Sequence, residues 1–363
     1  MKIAASKFGV LMVRDGLLIW DDVLNHKQIP INNSDLPLLG IFKRVREVND
    51  ELLIELARHD IGMYRVQQFL QLQILLDITS ERYSRELDYL TTWSGWGSLA
   101  RLFNFSTRTN RETRVLTVEE DRKRLAEKIE ILPPPERFWS LESIEDSVAK
   151  VVSLPRVETI NEVSFIEILE SRRSIRSFSV NAVSLKIFSE FLKYCAGVSE
   201  SRIRTEDDIF SGNYFRAAAS GGGRASTELY VYVRNVDGLM PGSYRYLPES
   251  NALEWCSSSV SDDFLLEAVS GQKWMLNAAF IIFLTGNVAA LKWKYQTARS
   301  YRCLFLDAGH MAQVIQMCAA ALNLGSCFSL MQRDEMWEEM MGVDPALEVA
   351  MGIIPCGFPE FND

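Results

Sequence analysis

A cluster of arginines offers the most distinctive chemistry in the sequence. The segment Arg172-Arg173-Ser174-Ile175-Arg176 carries three guanidinium groups within five residues, which is a poor composition for a buried core. A guanidinium presents a planar fork of donors that suits phosphate oxygens, and a neighbouring serine hydroxyl adds another donor. The segment therefore predicts a phosphate site, while a solvated basic turn remains the alternative from this motif alone.

Two glycine-containing turns are further candidates. Ser220-Gly221-Gly222 stands before an apolar strand, where the absence of a Cβ lets the backbone approach a flat ligand closely. Gly325-Ser326 follows a long apolar segment, where backbone N–H groups can point at a ligand atom. An ordinary flexible loop and a glycine helix cap are the respective alternatives. Neither turn has the GxGxxG spacing of a Rossmann dinucleotide site.

Lys294 and Tyr295 form a candidate acid–base pair. Their unperturbed pKa values are ~10.4 and ~10, so either side chain needs burial or a neighbouring cation to act as a base near neutral pH. A solvated surface pair is the alternative interpretation. The pair becomes informative only if the fold brings it to the glycine turns.

Composition limits the class of protein. The chain has 363 residues, of which 47% are hydrophobic and 24% charged, so it is long enough for two globular domains. A net charge of −9 argues against a general nucleic-acid binder. No run approaches the ~20 apolar residues that span a bilayer, so we expect a cytoplasmic protein without a membrane partner. Three scattered histidines and six cysteines without a CxxC pair predict no metal site.

Periodicity predicts the elements that must position these motifs. The predicted helices cover residues 35–44, 51–58, 62–76, 164–170, 185–196 and 301–324. The predicted strands cover residues 17–20, 229–233 and 280–284, with a hairpin over 244–255. The last helix is apolar almost all round, which predicts burial in a core or at a subunit interface.

The chain is predicted to have two domains joined by a linker. Residues 1–120 are interpreted as a winged-helix-like domain, because short strands, three helices and a possible β-wing follow one another. Residues 121–155 are interpreted as a linker, since a densely charged stretch typical of a solvated helix face precedes Pro133-Pro134-Pro135. Residues 156–363 form the second domain and carry all four motifs.

Taken together and in this order, the motifs resemble the nitroreductase superfamily, and more narrowly the SagB-type azoline dehydrogenases. The resemblance covers residues 160–356 and implies an α+β FMN-dependent nitroreductase fold, a central, mostly antiparallel sheet flanked by helices. It implies that the FMN phosphate and ribityl chain are bound by Arg172, Arg173, Ser174 and Arg176. It implies that the isoalloxazine ring is bordered by Ser220, Gly221 and Gly222, and that Gly325 and Ser326 lie near flavin N5. It also implies that Lys294 and Tyr295 assist azoline oxidation.

The resemblance also implies an activity and partners. Peptide thiazoline or oxazoline rings would be oxidised to thiazoles or oxazoles during biosynthesis of a ribosomally made peptide, with oxygen reoxidising the flavin. The implied partners are a heterocyclised precursor peptide, the cyclodehydratase of a synthetase complex, and a second copy in a homodimer whose flavin sites use both subunits. The ring preferred and the identity of the base, Lys294 or Tyr295, stay open.

Two other functions fit the same sequence. An NAD(P)H-dependent nitro- or quinone-reductase would have the same fold, although simple reductases lack an N-terminal extension. A non-catalytic scaffold subunit of a heterocycle synthetase would need no flavin. The chain also departs from the family pattern, with Ala219 where a proline is usual and Asn104 where many relatives have histidine.

Overall fold

The structure, a computed structural model, describes residues 1–109, 113–114, 116–135, 151–157, 163–198 and 215–360. It divides into two compact units, Met1–Arg114 and Val115–Asp363. Among the helices that these residues form, none is both long enough and apolar enough to cross a lipid bilayer.

The first unit contains short strands and helices. Its strands are β1 (Lys2–Ala5), β2 (Gly9–Arg14), β3 (Leu17–Asp22), β4 (Lys27–Ile31), β5 (Arg46–Glu47) and β6 (Leu75–Asp77). Its helices are α1 (Leu36–Ile41), α2 (Asp50–Arg58), α3 (Met63–Gln71), α4 (Glu81–Thr92) and α5 (Gly97–Ser106). Antiparallel sheets form in the orders β5-β1-β6 and β2-β3-β4. The first sheet packs with α1, α2 and α3 around one apolar core.

The predicted helix 62–76 is wrong at its C-terminal end. The helix stops at Gln71, and Gln73 adopts a left-handed conformation with φ 58°. The chain then enters β6, because Leu75 and Leu76 are buried and pair with β1. A helical period could not reveal this change, since a short apolar run fits a buried strand equally well. The predicted helix 35–44 is likewise shorter, covering only Leu36–Ile41.

The second unit contains one large sheet and the remaining helices. Its strands are β7 (Val151–Ser153), β8 (Thr227–Val233), β9 (Gly242–Leu247), β10 (Ala252–Ser258), β11 (Phe280–Asn287), β12 (Gly325–Ser326) and β13 (Glu348–Gly357). Its helices are α6 (Val118–Ile131), α7 (Phe165–Ser171), α8 (Leu185–Ala196), α9 (Asp262–Ala268), α10 (Val288–Lys294), α11 (Tyr301–Ala321) and α12 (Asp334–Met341).

The sheet has the order β12-β13-β11-β8-β9-β10-β7, and all its strand pairs are antiparallel. β11 is buried on both faces, as its unbroken apolar sequence predicts. Its alternate residues face opposite cores, so that Phe280 and Ile282 join one cluster while Ile281 and Phe283 join the other. Helices α8 and α11 supply the first cluster, and α9 and α12 supply the second.

Part of the predicted linker belongs to the second unit. Within residues 121–155, most of α6 and the strand β7 are ordered elements, and β7 pairs with β10. The charged sequence of α6 favoured a solvated helix. In the structure, two of its cations, Arg124 and Lys128, instead donate to main-chain carbonyl groups of the second unit.

The long apolar helix α11 is buried on one side in this chain. Ala308, Met311 and Ile315 lie in the core, whereas Phe305 is 50% and Leu306 is 60% exposed. A single chain therefore buries only one side of α11, although the sequence predicted burial of the whole helix surface. These exposed apolar side chains bear on the partner proposed below.

Candidate active site

The Ser220-Gly221-Gly222 segment forms a tight turn immediately before β8. Gly222 has φ 61°, a conformation that L side chains rarely adopt. The Ser220 hydroxyl accepts a hydrogen bond from the backbone N–H of Ala225 at 2.9 Å. The turn is thus closed by its own serine and requires glycine at its centre.

A buried carboxylate fixes this turn against α11. Asp307 accepts a hydrogen bond from the Gly221 N–H at 2.9 Å and another from the Ser226 hydroxyl at 2.6 Å. Burial raises the pKa of Asp307, and the two hydrogen bonds oppose that rise. The sequence interpretation gave Asp307 no site role. The available signal was a lone carboxylate within an apolar helix, since a buried charge must find donors.

Lys294 and Tyr295 lie against the same turn. The Lys294 amine donates a hydrogen bond to the Gly222 carbonyl at 3.3 Å. A Cβ added at Gly222 would lie 2.5 Å from the Tyr295 hydroxyl and 2.9 Å from the Lys294 nitrogen. Glycine at this position therefore allows both functional groups to approach the backbone. The fold brings two of the sequence-predicted motifs together.

The end of α10, which carries Lys294, is held by cations from α6. Arg124 donates to the Lys294 carbonyl at 3.1 Å, and the Lys128 amine donates to the Trp293 carbonyl. The Trp293 indole N–H returns a hydrogen bond to the Leu132 carbonyl at 2.9 Å. Cations are favourable at the C-terminus of a helix, where carbonyls lack intrahelical partners. The charged stretch is therefore more than the solvated helix face that its sequence predicted, because Arg124 and Lys128 bind α10.

Burial shifts the pKa values of Lys294 and Tyr295 in opposite directions. It lowers the pKa of Lys294, and the nearby charges of Arg224 and Arg124 lower it further, against an opposing effect of Asp121. Burial raises the pKa of Tyr295, as do the neighbouring Cys303, Asp121 and Asp307. Lys294 therefore releases its proton more readily than an ordinary lysine, whereas Tyr295 retains its own. This ordering suits a neutral amine base beside a neutral hydroxyl donor.

The arginine segment meets the other glycine turn. Ser174 and Ser326 form a parallel bridge, and the Ile175 N–H donates to the Ser326 carbonyl at 3.0 Å. A Cβ on Gly325 would lie 2.7 Å from the Ile175 side chain, so a larger residue would push the two segments apart. These motifs, separated by about 150 residues in sequence, are thereby placed side by side.

Guanidinium groups and a hydroxyl are concentrated on this second cluster. Arg173, Ser174 and Arg176 are exposed, and Arg172 is half-buried at the end of α7. The Arg176 guanidinium lies 5.9 Å from the centre of the Trp274 ring. The donor set is suited to an oxyanion such as a phosphate.

The two clusters lie toward opposite ends of α11. The turn at Ser220 is bonded to Asp307 near the N-terminal end, and Gly325 follows the C-terminal end after Ala321. At a rise of 1.5 Å per residue, the helix between Asp307 and Ala321 spans roughly 20 Å. A cavity of about 360 Å³ adjoins Tyr295 at the N-terminal end, with Leu291, Tyr301 and Leu304 among its walls.

Comparison with known proteins assigns the fold. A model described as the nitroreductase family matches residues 169–358, which is more than half of the chain. A crystal structure from Anabaena variabilis, described as a nitroreductase, superposes with a TM-score of 0.53 at 19% identity. That match covers 73% of this chain and 48% of the other. The chain belongs to the nitroreductase family.

Two curated relatives each match about half of this chain. A Methanocaldococcus jannaschii protein named as a nitroreductase is 27% identical over 176 residues, covering 48% of this chain and 81% of the relative. The trifolitoxin-processing protein TfxB of Rhizobium leguminosarum bv. trifolii is also 27% identical over 176 residues. That match covers 47% of this chain and 46% of TfxB, so it spans about half of each protein.

Proposed function

We propose that this protein is an FMN-dependent azoline dehydrogenase, which oxidises thiazoline or oxazoline rings of a peptide to thiazoles or oxazoles. The observation that carries the proposal is the contact of Lys294 and Tyr295 with the Gly222 turn, because it sets an acid–base pair beside the turn that we propose borders the flavin. Removal of a ring proton needs such a base within hydrogen-bond reach of the reacting atom.

The residues fit FMN in two respects. Arg172, Arg173 and Arg176, with Ser174, would donate hydrogen bonds to the phosphate, and Ser174 is bridged to Ser326 of the Gly325 turn. Gly222, which has no Cβ, lets the Tyr295 hydroxyl and the Lys294 amine lie close to the turn that would border the planar ring. FMN would supply the two-electron acceptor for the hydride that leaves the substrate ring.

The chain's own residues would handle the proton. In the proposed reaction Lys294, as the neutral amine, takes the proton from the ring carbon that bears the peptide carbonyl. Tyr295 keeps its proton and orients the ring through its hydroxyl. The ring loses this proton and a hydride from the neighbouring carbon, and it becomes aromatic. Molecular oxygen is the proposed final oxidant.

The printed name of one relative supports the choice of substrate class. TfxB is named for trifolitoxin processing, and 176 residues of it align with this chain at 27% identity. We propose by analogy that a heterocyclised precursor peptide is the substrate and that a cyclodehydratase is a partner. The first unit, Met1–Arg114, which we propose is the winged-helix-like domain, would recognise the peptide or that enzyme.

A homodimer is proposed as the active form. Phe165, Ile166 and Leu169 on α7 are exposed, and this helix packs against α11, where Phe305 and Leu306 are exposed. Apolar surface of this kind marks interfaces more often than solvated faces. A second copy bound here could bring the arginine cluster of one chain to the Gly222 turn of the other.

The dimer can be tested by light scattering. We expect the purified protein to have twice the mass of one chain, and Leu306→Glu to give monomers with less bound flavin, because a buried unpaired carboxylate opposes association. Leu330→Glu is the matched control, since Leu330 is also exposed but lies outside α7 and α11. A monomeric wild-type protein that binds FMN fully would exclude this arrangement.

The pH profile of turnover tests the role of Lys294. Turnover should rise as Lys294 loses its proton, with a midpoint below the ordinary lysine pKa of 10.5, because burial lowers its pKa. Arg124→Gln removes a cation that lowers this pKa, so the midpoint should move to higher pH. Asp121→Asn removes an anion that raises it, so the midpoint should move to lower pH. Midpoints that move in the same direction in both variants would exclude Lys294 as the titrating base.

An NAD(P)H-dependent nitro- or quinone-reductase is the main competing function, because the same fold and cofactor would serve it. A non-catalytic scaffold subunit is the other competing function.

The first test is an absorbance spectrum of the purified protein, followed by release and identification of the cofactor. Near one FMN per chain is expected. A protein that stays colourless after reconstitution with FMN would remove both enzymatic functions and leave the scaffold.

A further inference from the structure

The first unit contains a cavity of about 490 Å³ that the proposed reaction does not use. It lies between the β3–β4 turn, one face of α4 and the end of α5. Arg82, Arg85 and Tyr89 line it from α4, where spacings of three and seven residues place them on the same helix face. Phe105 and Arg108 line it from α5 and the residues that follow.

The charge on the walls is positive. Three arginines line the cavity, and none of its described lining residues is acidic. The carboxylates of Asp22 and Glu86 are buried and are bonded to Arg82 at 2.8 and 2.9 Å. Both also accept hydrogen bonds from main-chain N–H groups, so their oxygens are engaged inside the unit. Arg82 is therefore a structural member of this wall.

Arg85 and Arg108 are the two other arginines of this cavity, and we consider them as groups that bind a ligand. Both are exposed, and Arg85 contacts the exposed Glu81 at 3.7 Å, a weak surface pair. The Arg108 guanidinium lies 5.7 Å from the centre of the Phe105 ring. Phe105 in turn lies 4.8 Å from Tyr89, centre to centre. Two guanidinium groups thus stand beside an aromatic wall.

We infer that this cavity binds an acidic segment of a peptide, with a carboxylate held by Arg85 and Arg108 and an adjacent apolar side chain against Phe105 and Tyr89. A guanidinium fork pairs with a carboxylate through two parallel hydrogen bonds. An aromatic wall favours a peptide over a simple inorganic anion, because it offers apolar area beside the charge. The choice of a peptide rests on the proposed function, in which the substrate is one.

Isothermal calorimetry on the full chain tests this inference. The probes are a capped hexapeptide containing Leu-Glu-Leu and the same peptide with Leu-Gln-Leu. The first should bind and the second should bind at least about tenfold more weakly, as expected for loss of a charge-assisted hydrogen bond. Arg85→Gln and Arg108→Gln should each weaken binding of the Leu-Glu-Leu peptide by a similar factor. Arg44→Gln, at another exposed position of the same unit, should not.

Three outcomes would overturn the inference. Equal affinities for the two peptides would exclude a carboxylate site. Binding of inorganic phosphate, but of neither peptide, with the same arginine dependence would assign the cavity to small anions. If a nucleic acid binds through Arg85 and Arg108 more tightly than the Leu-Glu-Leu peptide does, the cavity would be a nucleic-acid site. Flavin content and azoline turnover are measured on the same samples, so failure here is distinguishable from failure of the proposed function.

Discussion

The double variant Lys294→Met, Tyr295→Phe is expected to lose azoline oxidation while retaining FMN. Removing a positioned acid–base pair lowers turnover by roughly 100-fold to 10,000-fold. Both replacements preserve much of the side-chain volume, so the Gly222 turn can keep its shape. Flavin should remain bound because the arginine cluster at the opposite end of α11 is unchanged. The measurements are turnover with an azoline peptide and the ratio of flavin to protein.

The single variants separate the two roles. Lys294→Met should lose more turnover than Tyr295→Phe, because the lowered pKa of Lys294 and the raised pKa of Tyr295 favour the amine as base. The reverse order would make Tyr295 the base. Wild-type turnover in the double variant would exclude both side chains from the chemistry.

Gly222→Ala is expected to lower turnover by about 100-fold, because small misplacement of reacting groups is costly. The new methyl group would lie within 2.9 Å of the Lys294 nitrogen and the Tyr295 hydroxyl. Both are terminal atoms of side chains that can move aside. The displaced groups are therefore the proposed acid and base, and most of the fold should be undisturbed.

Gly271→Ala is the matched control for backbone strain. Gly271 has φ 78°, and an added Cβ would meet nothing within 4 Å. Both variants should share a stability cost of about 1–2 kcal/mol from a side chain in the left-handed region. Gly271→Ala should nevertheless keep its turnover. Equal losses of turnover in the two variants would attribute the effect of Gly222→Ala to general destabilisation.

The central sheet could be predicted from sequence because its strands carry simple patterns. The unbroken apolar run at Phe280 and the hairpin around residues 244–255 both appear in the fold. Helix α8 matches its amphipathic period over Leu185–Ala196. Such patterns depend on burial alone, which local sequence records directly.

The site could be predicted in part. The four motifs were visible, but only the fold shows that they form two clusters at opposite ends of α11. Asp307 and Arg124 were missed for different reasons. Asp307 is recognised by its donors, Gly221 and Ser226, which lie more than 80 residues away in sequence. Arg124 contacts a main-chain carbonyl group, and every residue type has one, so the sequence does not indicate which residue is the partner.

Anaerobic reduction of the bound flavin tests the proposed function most directly. FMN-loaded protein is mixed without oxygen with a peptide containing one thiazoline or oxazoline, and separately with NADPH. We expect the azoline peptide to bleach the flavin and to become lighter by two hydrogen atoms, with colour returning on admission of oxygen. Rapid bleaching by NADPH, with every azoline peptide left unchanged, would contradict azoline oxidation and assign the protein to the reductases.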